Sequence, residues 1–304
     1  MNQSVRRENI FMPAAGFMLL VFITCLFIST NACAEPAGHV SLWTVPSREN
    51  TVYLLGSVHV LKKDAYPLDA RIEKAYLASG CIMFEADMAE LARPATFRKM
   101  LASGMYQDGT TLKQHISSGT YEILKEKVEG AGMSMDRFDP LKPWLCAVTL
   151  SSVELRRMGF DPALGIDSHF FARARQDEKE MIFLESSEYQ IDLISGVLAD
   201  TPEDLLKQTI AELEVIEAMS ADMLGAWKNG DAQKMESIVN MSLKEYPQIH
   251  ELLFVRRNTA WRAKIEKLIG GKKNVLVIVG AGHLVGKNGV LAQLKDKGYP
   301  LVQQ

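Results

Sequence analysis

Cysteine is scarce in this chain of 304 residues: Cys25, Cys33, Cys81 and Cys146 are the full set, and none form a Cys-x-x-Cys pair. A thiolate metal site or a dithiol redox motif is therefore not expected. A basic excess is missing too, since 34 Lys and Arg stand against 37 Asp and Glu with the two signs interspersed. That balance excludes the one-sided positive footprint of a nucleic-acid binder. The sequence also contains no Gly-x-Ser-x-Gly elbow, no phosphate-cradling glycine loop and no His-Glu-x-x-His helix. These absences argue against a serine-hydrolase elbow, a P-loop nucleotide site and a helix-borne zinc site.

Only one long hydrophobic run is present, and it lies at the start. Arg6 and Arg7 precede an apolar stretch from Phe17 to Ile28, and Ala32-Cys33-Ala34 follows with small residues at both specificity positions of a cleavage site. This is the layout of a secretion signal. The alternative is an uncleaved anchor, for which the run is short against the roughly 20 apolar residues a span needs. Residues 1–34 are thus expected to be removed and 35–304 to form the working domain, exported to the periplasm or beyond, with no stable membrane span left. Losing Arg6, Arg7 and Glu8 makes the formal net charge of −3 one unit more negative. Of the cysteines only Cys81 and Cys146 remain, each in an apolar segment that suits a small buried hydrophobe, although an oxidising compartment would permit a disulfide.

Four short apolar runs read as strands buried on both faces: Val52–Leu55, Ile82–Phe84, Met181–Leu184 and Val275–Val279. Leu42–Val45 and Leu301–Val302 are weaker candidates. Between the second and third runs, and again between the third and fourth, the pattern turns to helix period. One long amphipathic helix is predicted from Leu206 to Trp227, opened by Thr201-Pro202. The expected fold class is α/β, a small and mainly parallel sheet core with a large helical insertion.

Two segments echo each other: Leu54-Leu55-Gly56-Ser57-Val58-His59, and Ile278-Val279-Gly280-Ala281-Gly282-His283. In each, a glycine ends a buried strand and a histidine follows three positions later. That places both histidines beyond carboxyl ends of strands, the edge where open α/β sheets bind ligands. The other two strands end in Phe84-Glu85-Ala86-Asp87 and Leu184-Glu185. A carboxylate at the core boundary needs a cation, a donor or a proton, so His59, His283 and Glu85 are candidate ligands for a divalent ion. Manganese, cobalt and zinc all suit such a mixed set. The alternative for Glu85 and Glu185 is helix capping or pairing with basic residues. Arg257 shares a four-residue stripe with Leu253, Trp261 and Ile265, so it must either snorkel or meet an anion such as Glu85, Glu185 or a substrate carboxylate. His39, His115, His169 and His250 have weaker company.

Together these segments resemble the TraB/GumN family. The resemblance rests on Gly56–His59 with Tyr66-Pro67-Leu68, Phe84–Asp87, Gly165-Ile166-Asp167, Leu184-Glu185 with Gln190, Arg257-Asn258 and Val279–Leu284. It implies an α/β core similar to erythromycin-esterase-like and ChaN-like proteins. It also implies, through the Tiki branch, a metal-dependent peptidase acting on a peptide or another small amide or ester. Under that reading Glu85, Glu185 and Arg257 carry catalysis, while Asp167, Gln190 and Asn258 bind substrate. A non-catalytic peptide-binding protein and a metal-free esterase with a histidine base are the alternatives. Leu184-Glu185-Ser186 departs mildly from the family's commoner Leu-Glu-Thr. The signal reading makes a direct prediction: intact mass of the exported protein should correspond to a chain starting at Glu35, and a membrane-held species starting at Met1 would overturn it.

Overall fold

The computed structural model describes residues 38–199, 202–243 and 246–304. The export signal and its cleavage site lie outside the described residues. A mixed sheet of six strands forms the centre: β1 (Leu42–Pro46), β2 (Thr51–Ser57), β3 (Cys81–Phe84), β4 (Glu180–Phe183), β5 (Val275–Gly280) and β6 (Val302–Gln303). Their order is β4-β3-β5-β2-β1-β6. The first four in that order run parallel, whereas β1 pairs antiparallel with both β2 and β6. The four parallel strands are the four apolar runs, and the two weaker candidates form the antiparallel margin.

Alternation along the strands divides the core into two layers. Leu55, Ile82, Phe84, Leu276 and Ile278 face a cluster completed by the helices Ala70–Ala78 and Ile166–Gln176. Val52, Leu54, Met83, Val277 and Val279 face the opposite way, onto Trp261, Ile265, Val290 and Leu294 from the helices Arg256–Glu266 and Val290–Asp296. Helices on both faces explain why these strands read as continuous apolar runs. At the edge, β4 departs from that expectation: its residues are only partly buried because β3 is its sole strand neighbour. Cys81 and Cys146 are both buried and unpaired, in separate apolar clusters.

A third cluster contains no residue of the sheet and is built mainly from Ser118–Gly130, Pro143–Arg157 and Pro202–Glu212. Here the long helix predicted over 206–227 needs correction, because it is two helices, Pro202–Glu212 and Ile216–Lys228, with a break between. Its apolar stripe serves two different cores: Leu206 and Ile210 join the helical cluster, while Ile216, Leu224 and Trp227 join a sheet layer. The chain must turn to reach both. Bonds from Glu214 N to Ala211 O and from Val215 N to Glu212 O tighten the first helix to its end. Ile278 is fully buried at mid-sheet and Leu77 is largely exposed. Ile278→Ala should therefore cost about 2–5 kcal/mol in urea unfolding, while Leu77→Ala should stay within about 0.5 kcal/mol.

Candidate active site

Parallel pairing sets the site. Phe84 is level with Ile278 and with Phe183, and Glu185 N donates to Glu85 O at 2.8 Å. On the other side of β5, Ser57 is level with Gly280. One edge of the sheet therefore carries, in order, Glu185, Glu85, the Gly280–His283 turn and the Ser57–His59 turn. The two Gly-x-x-His segments occupy neighbouring strands, as their echo suggested.

Arg257 binds the two glutamates together. Its Nη2 donates to Glu85 Oε2 and to Glu185 Oε2, both at 2.8 Å, and its Nε reaches Glu185 Oε1 at 3.0 Å. Nη1 donates to Leu253 O and to His283 Nε2, each at 3.2 Å. The guanidinium lies over the Trp261 ring at 4.5 Å, and Trp261 Nε1 donates to Glu185 Oε1 at 2.9 Å. Gln190 Nε2 donates to both carboxylates, and Gly280 N donates to Glu85 Oε1 at 2.8 Å. The stripe of Leu253, Arg257, Trp261 and Ile265 is buried as its spacing predicts. A π-helical turn, Glu251–Val255, leads directly into the helix that carries it. Burial pushes the Glu85 carboxyl up, but Arg257, the two histidines and the Gly280 N–H outweigh it and leave the group below its ordinary value.

Each histidine is held from behind by a side-chain oxygen. Asp167 Oδ2 is 2.8 Å from His59 Nδ1, and its Oδ1 accepts from Ser57 Oγ. Asn258 Oδ1 is 2.7 Å from His283 Nδ1, with the amide fixed by its Nδ2 bond to Asn288 O. Arginine can only donate, so His283 Nε2 must be the acceptor and Nδ1 the protonated nitrogen. Burial, with Arg257 adding to it, holds the His283 pKa down at about 3; the ring is neutral. Asp167 raises His59 to about 9 against the opposing effect of burial. About half of the His59 side chain is open, and water there weakens the attraction. Gly165 makes the Asp167 contact possible: a Cβ on it would lie 2.1 Å from His59 O. Only glycine lets the first turn of the Ile166–Gln176 helix dock that closely.

These groups open into a cavity of about 290 Å³. His59, Glu85, Gln190, Arg257, Gly280 and His283 line its polar end, and Leu193, Ile194, Met223, Met235, Val239, Leu253 and Phe254 line the rest. Asp167 and Asn258 were expected on the substrate but stand behind the imidazoles, off this cavity wall, with their oxygens taken. The other histidines stay apart from it: His115 stacks on Tyr106, His169 packs between Tyr66 and Phe170, and His250 stacks on Phe254 without reaching this cavity. Sequence reasoning did not assign Phe254 and Trp261, whose rings lie 4.5 and 4.4 Å from that of His283. Trp261 had a signal in the stripe, while Phe254 had none.

Whether an ion fits can be judged at Gly280. A Cβ there would sit 3.4 Å from Glu85 Oε1, 3.5 Å from His283 Cδ2 and 3.7 Å from His59 Nε2, so the three side chains surround one small space. Both imidazoles present Nε2 forward with Nδ1 anchored, the arrangement that orients metal-binding histidines. Yet among the described residues no three His, Cys, Asp or Glu side chains are grouped as a ready ligand set, and Arg257 occupies His283 Nε2. The donor types suit a divalent ion, but as placed they form no ligand set, and Arg257 would have to yield that nitrogen.

Arg257 cannot be removed as harmlessly as its surface-like alternative would allow. Arg257→Leu strands two buried carboxylates and should destabilise the protein by about 3–5 kcal/mol. Adding Glu85→Gln and Glu185→Gln to Arg257→Leu should recover much of that loss in thermal and urea unfolding. Equal stability of wild type and Arg257→Leu would disprove the pairing.

The chain is 26% identical over 252 residues to the uncharacterized protein YbaP of Escherichia coli (strain K12), covering 83% of this chain and 90% of that one. It is 23% identical over 330 residues to the metalloprotease TIKI2 of Xenopus tropicalis, covering 90% of this chain but 62% of the relative. To human metalloprotease TIKI1 the identity is 22% over 313 residues, with 85% and 60% covered. No solved structure matches the chain significantly. The family model described as TraB/PrgY/gumN matches residues 41–303, every strand of the sheet included, and the chain belongs to the TraB/PrgY/gumN family.

Proposed function

We propose that the protein is an exported, metal-dependent hydrolase, peptidase-like, that acts on a peptide or another small amide or ester at this sheet edge. The observation that carries the reading is the space over Gly280, bordered by the two anchored imidazoles and Glu85. The names of the TIKI relatives support the reaction class. His59 and His283 would hold the ion through Nε2, with Glu85 within reach to complete the set. The chemistry such an ion supplies is Lewis-acid polarisation of a carbonyl oxygen.

The chain's own groups divide the remaining work. Asp167 keeps the His59 ring turned so that Nε2 faces the cavity, the nitrogen that would be offered to the ion. Gln190 and Arg257 fix Glu85 from one side and the Gly280 N–H from the other, so the carboxylate is already oriented when substrate arrives. The Arg257 charge also favours a developing oxyanion near Glu85. Around them the apolar wall keeps bulk water away.

One observation favours a second reading. With Arg257 on His283 Nε2 and Asp167 behind His59, a metal-free hydrolase using His59 as base keeps every observed contact, but the ring, which Asp167 holds protonated up to about pH 9, must first give up its proton. Metal analysis separates the two. The purified mature protein should hold one manganese, cobalt or zinc per chain and cleave peptide or ester probes in a chelator-sensitive manner. Asp167→Asn should weaken metal binding about 10–100-fold. Gly280→Ala, which the backbone tolerates, should fill the space and remove both metal and activity while leaving unfolding cooperative. Turnover unaffected by chelator in metal-free protein would establish the histidine-base reading instead; neither metal nor turnover would leave a peptide-binding protein.

A further inference from the structure

The cavity changes character along its length. All of its polar side chains belong to the strand-end group, and the charged ones are already paired: Glu85 with Arg257, and His59 with Asp167 outside the wall. The rest of the wall is formed by Ile194, Met223, Met235, Val239 and Phe254, which come from the helices Ser187–Ala199, Ile216–Lys228 and Ala232–Leu243 and from the π turn, with Val239 and Phe254 lying against the Gly282-His283 turn. Among the described residues, no side chain in this part of the wall offers a nitrogen or oxygen. A charged or amide-bearing group entering this part would leave water without gaining a partner, whereas an apolar one gains by leaving water.

Size narrows the ligand further. About 290 Å³ lies at the lower end of the ~300–1,000 Å³ typical of pockets for drug-sized molecules, and the polar end takes part of it. What remains suits a single side chain with its adjoining amide rather than an extended chain. Two methionines in the wall adapt to different shapes, so the site should discriminate by polarity more than by outline.

From these features we infer that the helical part of the cavity is a specificity subsite for one neutral apolar side chain, of leucine, methionine or phenylalanine size, next to the scissile amide or ester. The inference rests on the hydrolase reading for the position of the scissile bond. Its ligand chemistry comes from the wall alone. Met223 and Phe254, both in the apolar wall, are then specificity-determining residues.

Binding to the mature wild-type chain tests this without requiring turnover. The probes are N-acetyl-leucinamide, N-acetyl-phenylalaninamide, N-acetyl-glutamic acid amide and N-acetyl-lysinamide, titrated against protein carrying 13C-methyl methionine. The leucine and phenylalanine probes should move the Met223 and Met235 methyl signals and bind at least ~10-fold more tightly than the two charged probes. Met223→Lys, at a partly buried position, should remove most of that preference; Ile194→Glu provides the same test should Met223→Lys lose cooperative unfolding. Equal binding of all four probes, no binding by any, or binding that leaves both methionine signals unmoved would overturn the subsite. Apolar probes that bind here while no amide or ester is ever cleaved would sustain the subsite and reject the hydrolase. Cleavage directed to bonds beside charged side chains would do the reverse.

Discussion

Two carboxylates just past the ends of adjacent parallel strands, both nearly buried, need a positive group between them, and Arg257 is that group. Its forked contacts with Glu85 and Glu185 tie the ends of β3 and β4 to a helix on the face of the sheet. The same guanidinium reaches His283, which decides the tautomer of that ring and helps keep it neutral. Trp261 beneath and Gln190 beside it leave the arginine little freedom to reorient. Geometry, charge state and burial at the strand ends therefore depend on one side chain. A lysine would supply the charge but not the planar fork that spans two acceptors.

Chemistry and shape come from different parts of the chain. The sheet supplies the clustered histidines and carboxylates at strand ends, where the topology puts them whatever the loops contain. The helices inserted between β4 and β5 supply the cavity wall. The same reactive edge can consequently be combined with different walls, which is how a fold of this class changes ligand without changing its core.

Much of this was legible in the sequence because it was written in short-range patterns. The four parallel strands are continuous apolar runs, and Glu85, Glu185, His59 and His283 follow their ends at fixed offsets, so topology alone gathers them. Arg257 declared itself by standing among Leu253, Trp261 and Ile265. The break at 213–215 was not legible, since Leu206 to Trp227 keeps one unbroken stripe although it serves two cores. Nor could sequence show that Asp167 and Asn258 face the imidazoles rather than a ligand. That follows from Gly165 docking against His59 O and from the 288 loop turning Asn258, both long-range contacts without a local signature. The cavity wall was hidden for the same reason, because Ile194, Met223 and Phe254 meet only through tertiary packing.

The π turn at Glu251–Val255 has a consequence for how related chains should be compared. Such a turn holds one residue more than an α-helical turn, so it behaves as a single-residue insertion within an otherwise regular helix. Downstream, Arg257 and Trp261 are anchored on the sheet; Ile249, Leu253 and Phe254 pack instead into the helical cluster. A relative lacking one residue in this interval would keep its arginine and tryptophan in register while Leu253 and Phe254 rotated by about 100° around the helix axis, off the cavity. An alignment gap of one position there would thus separate family members that share the reactive edge from those that share the pocket.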